Sequence, residues 1–157
     1  MLFMEQVFPY KITVKLPSDV EIIPTIRKFV SETLVACGFS TKFAFRSEII
    51  IDEICNNAIS YGSGGDTEKE IELSCEIYAD RMEMLVKDHG GSQIHTERLK
   101  DAMNKNKLEL PIEYENVRLG LEIVKMLSET IEFKVDENNV TSIHAVRRRE
   151  DAVSQAS

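Results

Sequence analysis

Asp52-Glu53-Ile54-Cys55-Asn56-Asn57-Ala58 sets a carboxylate and a carboxamide four residues apart twice over, as Glu53 with Asn57 and as Asp52 with Asn56. Side chains four apart on a helix project from one face. A carboxylate can orient a nucleophile, and an amide oxygen can ligand a hard cation; side by side they suit chemistry on a magnesium-bound nucleotide. Taken alone, the pattern fits a solvated helix face equally well. Two later segments add weight. Val86-Lys87-Asp88-His89-Gly90-Gly91 ends an alternating strand in an Asp and a flexible turn. Arg118-Leu119-Gly120-Leu121-Glu122-Ile123-Val124-Lys125 opens a helix with a glycine inside its first turn. Singly, these also read as an ordinary hairpin turn and an ordinary helix start.

The elements that must hold these residues follow from periodicity. Phe8 to Leu16 alternates as a strand, stopped by Pro17. Ser18 with Glu21 makes a capping box for a helix whose apolar residues are Ile22, Ile26, Phe29, Val30 and Leu34, and Gly38 ends it. A second helix starts at Ser40 or Thr41 and runs to about Tyr61, stopping at Gly62. At about 100° per residue, Ala44, Ile51, Ile54, Cys55, Ala58 and Ile59 share one face, while Glu53 and Asn57 lie on another beside Ile50. Such a helix packs on a sheet with one face and lines a pocket with another. Glu70 to Tyr78 and Met82 to Lys87 read as an antiparallel hairpin, and Val117 to Ser128 as a helix. Ile131 to Val135 and Val140 to Val146 read as closing strands. Residues 92–117 form a long polar link, the kind that is functional or mobile inside a compact domain. The order β-α-α-β-β-link-α-β-β predicts an α/β (α+β) two-layer sandwich, with a mixed, largely antiparallel sheet and helices on one face. Rossmann alternation is absent.

At 157 residues the chain fits one domain. Nineteen Lys and Arg against 27 Asp and Glu give a net charge of −8, which argues against a nucleic-acid-binding surface. Arg147-Arg148-Arg149 is too short to change that and reads as a solvated strand end. Cys37, Cys55 and Cys75 show no metal-binding or disulfide spacing, and Cys37 and Cys55 fall in apolar helical patterns. His89, His95 and His144 show no ligand spacing either. Reduced thiols, and the lack of an apolar run near the ~20 residues that span a bilayer, predict a cytoplasmic protein with no membrane partner.

In order and spacing, the three chemical segments resemble the N, G1 and G2 boxes of the Bergerat-fold (histidine-kinase-like) ATPases. With no phosphoacceptor region and a short chain, the resemblance is to the anti-sigma-factor serine/threonine kinases of bacteria. It covers roughly residues 8–148 and implies one ATP-binding domain over 1–149, with a lid at 92–117 and a disordered tail at 150–157. It also separates the two registers: a small residue directly after the asparagine, then an aromatic–glycine pair, matches Ala58, Tyr61 and Gly62, so Glu53 and Asn57 take the family positions. Glu53 is then the catalytic carboxylate that polarises the attacking hydroxyl or water, and Asn57 the ligand of Mg²⁺ on ATP. The resemblance makes Asp88 the acceptor for the adenine amino group, with Thr141 supporting it. Gly90 is where backbone nears the base, and Gly120 is at the phosphates. Leu121 falls within the same cofactor-binding set, as packing, and Leu119 is read as packing too. Thr141 and Asp88 have plainer readings as a strand threonine and a turn aspartate.

Two departures stand out: Ser92 replaces a G1 glycine, and Arg118 replaces the first G2 glycine. Arg118 either obstructs the phosphate path or adds a cation to it. The partners that the resemblance implies are a small antagonist protein, phosphorylated on Ser or Thr, a sequestered sigma factor, and a second copy of the chain in a homodimer. Two other readings stay open: a non-catalytic Bergerat binding module with a degraded nucleotide site, and a detached histidine-kinase catalytic domain.

Overall fold

A computed structural model describes residues 7–59, 70–88, 115–138 and 140–149. In chain order the elements are β1 (Tyr10–Pro17), a 3-10 turn (Val20–Ile22), α1 (Ile23–Ala36), α2 (Thr41–Asn57), β2 (Glu70–Ile77), β3 (Arg81–Asp88), α3 (Glu115–Leu127), β4 (Thr130–Val135) and β5 (Thr141–Arg148). The five strands form one sheet in the order β1-β2-β3-β5-β4. Every neighbouring pair is antiparallel, so the expected mixed sheet is fully antiparallel among the described strands.

Period-two alternation gives the sheet one apolar face. Ile71, Leu73, Cys75 and Ile77 of β2, Met82, Met84 and Val86 of β3, and Ile143 and Ala145 of β5 are buried. Glu72, Ser74, Glu76, Glu83 and His144 point the other way and are half-exposed. The helices cover only the apolar face, with α2 packed between α1 and α3. That central placement buries Ile50 as completely as Ile51 and Ile54, because α2 meets apolar neighbours on more than its sheet side.

Ser40 caps α2, its hydroxyl accepting from Phe43 N at 3.1 Å. Gly38, at φ 92°, closes α1: Phe39 N donates to Leu34 O and Gly38 N to Val35 O, both at 3.0 Å. That left-handed conformation strains any residue with a Cβ.

Several expectations are corrected. Asp19 caps a 3-10 turn, accepting from Glu21 N at 2.9 Å, and α1 starts only after it, at Ile23, with Pro24 in its first turn. Phe29 is 53% exposed, because α1 turns Ile23, Val30 and Leu34 inward and leaves Phe29 outside. Leu119, read as packing, is 45% exposed, whereas Leu121 is buried. Of the arginine cluster, Arg148 is exposed as expected of a solvated strand end, but Arg147 is not. Arg147 is 3% exposed. Its Nε donates to Leu127 O at 2.9 Å, and its Nη1 to Phe43 O at 2.8 Å and Ser47 Oγ at 2.9 Å. The guanidinium also lies 4.1 Å over the Phe43 ring, so one side chain ties β5 to both α2 and the end of α3. Arg149 stacks 4.8 Å over Phe39 and donates to Gly38 O.

Cys37, Cys55 and Cys75 are free and buried. Burial pushes all three thiols up, Cys75 to about 12. The expected lid falls outside the described residues over 92–114, and 115–117 belong to α3. The expected tail, 150–157, also lies outside them.

Candidate functional site

Antiparallel register assembles the site. On the helix-facing side of the sheet, Asp88 of β3 pairs directly with Thr141 of β5. One step in, Val86 pairs with Ile143, and Ile143 pairs with Phe133 of β4. Those two rows floor a small pocket. Asn57 and Ala58 at the end of α2 and Leu121 of α3 close it from above. A patch of polar groups (Asn57, Asp88, Thr141) therefore sits in walls made by Ala58, Val86, Leu121, Phe133 and Ile143. Apolar walls with a few convergent polar groups are the usual form of a small-molecule site.

Asp88 is 2% exposed. Thr141 Oγ1 donates to Asp88 Oδ2 over a long 3.4 Å, which helps hold a carboxylate inside apolar walls. A carboxylate accepts hydrogen bonds and donates none, so this end of the pocket suits an amino group on a flat apolar ring.

Asn57 is 6% exposed, and its Nδ2 has no hydrogen-bond partner among the described residues. A buried polar atom left unpaired costs about 1–3 kcal/mol, and a bound polar ligand would recover it. Beyond Asn57, one turn back along α2, Glu53 is half-buried. Burial, and after it the charge of Asp52, hold its carboxyl above the ordinary glutamate range. Glu53 lies against Gly120 of α3: a Cβ on Gly120 would stand 3.3 Å from Glu53 Cδ and 3.8 Å from Asn57 Nδ2.

The two registers on α2 separate in space. Asp52 forms an ion pair with Arg27 of α1, which also lies 3.9 Å from Glu48. Glu53 instead faces α3, and Asn57 rather than Asn56 lines the pocket.

Four of the eight residues singled out in the sequence line the pocket, Asn57, Asp88, Leu121 and Thr141, and Glu53 lies one turn beyond, against Gly120. Gly120 joins them in a place other than the one expected. It lies in the second turn of α3, which begins at Glu115 rather than at Val117, and there it approaches Glu53. Gly90 and the side chain of Arg118 lie outside the described residues. Sequence reasoning missed the apolar walls. Phe133, Val86 and Ile143 read as ordinary strand residues, and their common row appears only once β5 is known to lie between β3 and β4.

An acceptor carboxylate at Asp88 and an unpaired amide donor at Asn57 fit the base and the phosphates of an adenine nucleotide. No group of three or more His, Cys, Asp or Glu that could cage a metal occurs among the described residues. The unpaired atom of Asn57 is the amide nitrogen, a donor that suits a phosphate oxygen, while Mg²⁺ would take Oδ1 of the same amide and draw most of its ligands from water and phosphate. No described helix is long and apolar enough to cross a membrane.

A family model described as a histidine kinase-like ATPase domain matches residues 16–145. Among curated proteins, the serine-protein kinase RsbW of Bacillus mycoides is 30% identical over 129 residues, covering 81% of this chain and 79% of that protein. The serine-protein kinase RsbW of Listeria innocua is 30% identical over 82 residues, covering 52% of each. The crystal structure of the SiaB-SiaC complex from Pseudomonas aeruginosa contains a chain with the same fold. It superposes with a TM-score of 0.68 at 16% identity, over 86% of this chain and 88% of that one.

Proposed function

The chain belongs to the histidine kinase-like ATPase family, and on that footing we propose that it binds ATP with Mg²⁺ and phosphorylates a serine or threonine of a small antagonist protein, in the manner of anti-sigma-factor kinases. One observation carries this reading: a buried acceptor, Asp88, and an unpaired buried amide, Asn57, lie in one apolar pocket, with the partly buried carboxylate of Glu53 one turn beyond. The names of the curated relatives support a hydroxyl acceptor over a histidine.

In this reading Asp88 accepts from the adenine amino group, with Thr141 holding the carboxylate in place. Leu121 and Phe133 enclose the ring, and Gly90 brings backbone near it. Asn57 would hold the magnesium through its Oδ1, and Arg118 would add a cation at the phosphates. Bound Mg²⁺-ATP supplies the phosphoryl group to be transferred. Glu53 takes the proton of the acceptor hydroxyl, a role that its raised proton affinity favours. The partners are a small antagonist protein and a sigma factor that the unphosphorylated antagonist displaces. The protein works in the cytoplasm as a homodimer, with residues 92–117 as the lid.

The test is transfer from γ-labelled ATP to small candidate antagonists. Acid-stable phosphoserine or phosphothreonine is expected. Acid-labile phosphohistidine would move the chain to the detached histidine-kinase reading. ATP binding without transfer to any candidate would leave a binding module.

A further inference from the structure

Gly120 has no conformational reason to be a glycine. It sits in the second turn of α3, where its N–H is committed to the helix, and among the described glycines only Gly38 has a positive φ. Alanine is the better helix former at such a position. Space is the remaining reason. A Cβ there would run into Glu53, 3.3 Å from Cδ and nearer still to Oε2, but would meet Asn57 Nδ2 at an ordinary 3.8 Å. Buried Leu121 and Val124 hold α3 in register, so the helix cannot back away without opening the pocket wall.

We propose that Gly120 is a positioning residue: its bare Cα is the seat for the Glu53 carboxylate beside Asn57, and it acts on the nucleotide through those two side chains rather than through its own amide. This rests on the nucleotide-binding reading. Filling the seat displaces the Glu53 carboxylate, the flexible end that a Cβ would meet first, and pushed toward Asn57 it crowds the amide that would hold the metal.

A double-mutant cycle between Gly120→Ala and Glu53→Ala decides this, read as calorimetric affinity for Mg²⁺-ATP and as melting temperature without ligand. Gly120→Ala should weaken Mg²⁺-ATP binding by about tenfold in the wild-type background and by less than about twofold in the Glu53→Ala background. Without ligand, it should lower the melting temperature when Glu53 is present and raise it in the Glu53→Ala background, where helix propensity acts unopposed. Unchanged binding in Gly120→Ala, or the same loss in both backgrounds, overturns the proposal, the second because the glycine would then act through its own backbone. A wild type that binds no nucleotide sinks the nucleotide reading, while the ligand-free melting coupling still decides whether the seat exists.

Discussion

Arg27 on α1 holds Asp52 on α2 in an ion pair, with Glu48 3.9 Å from the same guanidinium. That pairing separates two carboxylates adjacent in sequence. Asp52 is turned to α1 and Glu53 to α3, so only one of them can serve the pocket.

Asp52 therefore belongs to helix packing. Asp52→Asn should leave nucleotide affinity and transfer near wild type and cost stability by under about 1 kcal/mol, since the pair is partly exposed. Exchanging the charges, Arg27→Asp with Asp52→Arg, should recover most of that loss in urea denaturation. A collapse of phosphoryl transfer in Asp52→Asn would instead make Asp52 and Asn56 the working register.

Glu53→Gln keeps size and polarity but removes the base. Nucleotide should still bind, while transfer slows by roughly 10²–10⁴-fold. In the wild type, the raised proton affinity of Glu53 places the acid limb of the pH–rate profile above the ordinary glutamate range. The stability linkage has a definite sign. The folded chain binds this proton more tightly than the unfolded chain, so stability from this group is greatest below the ordinary glutamate range and is lost as pH rises through the raised native value. Glu53→Gln should then melt higher than wild type at neutral pH, and the gap should close in acid. A gap that widens in acid would mean the carboxylate is stabilised as an anion.

Asp88→Asn turns part of an acceptor into a donor at the buried end of the pocket. It should weaken ATP by about 1–3 kcal/mol, and Thr141→Val, which removes one donor to that carboxylate, by about 0.5–1.5 kcal/mol. Calorimetry should show wild type preferring ATP over GTP, with the preference shrinking in Asp88→Asn. Unchanged selectivity would remove adenine recognition from Asp88.

Arg147→Leu should destabilise the fold by about 1–3 kcal/mol, because it removes the buried donors to Leu127 O at the end of α3 and to Phe43 O and Ser47 Oγ of α2. Equilibrium urea unfolding would show it. A loss within about ±0.5 kcal/mol, typical of a surface site, would contradict its burial.

Periodicity carried much of this fold in the open. The alternation in β2, β3 and β5 and the apolar stripe of α2 are local patterns, and local patterns survive translation into structure because side-chain direction follows backbone period. Helix ends were legible where the capping chemistry is local, at Ser40 and Gly38, and misplaced at the start of α1, where Asp19 caps a 3-10 turn that comes before the helix. The stripe of α1 was misjudged at Phe29, since which face of a helix turns inward depends on its neighbour.

The spacing of Glu53 with Asn57, and Asp88 at a strand end, were determined by the sequence alone, as was the resemblance that gives them roles. Three things were decided only by tertiary structure. Arg27 lies far from Asp52 in the chain, and its choice of that carboxylate is what leaves Glu53 to α3. Phe133, Val86 and Ile143 became one wall only when β5 was inserted between β3 and β4. Arg147 left a charged run for the core because the end of α3 and the first turn of α2 meet where its guanidinium can satisfy both. Each is a long-range juxtaposition, and sequence spacing carries no information about groups brought together by packing rather than by the local turn of the chain.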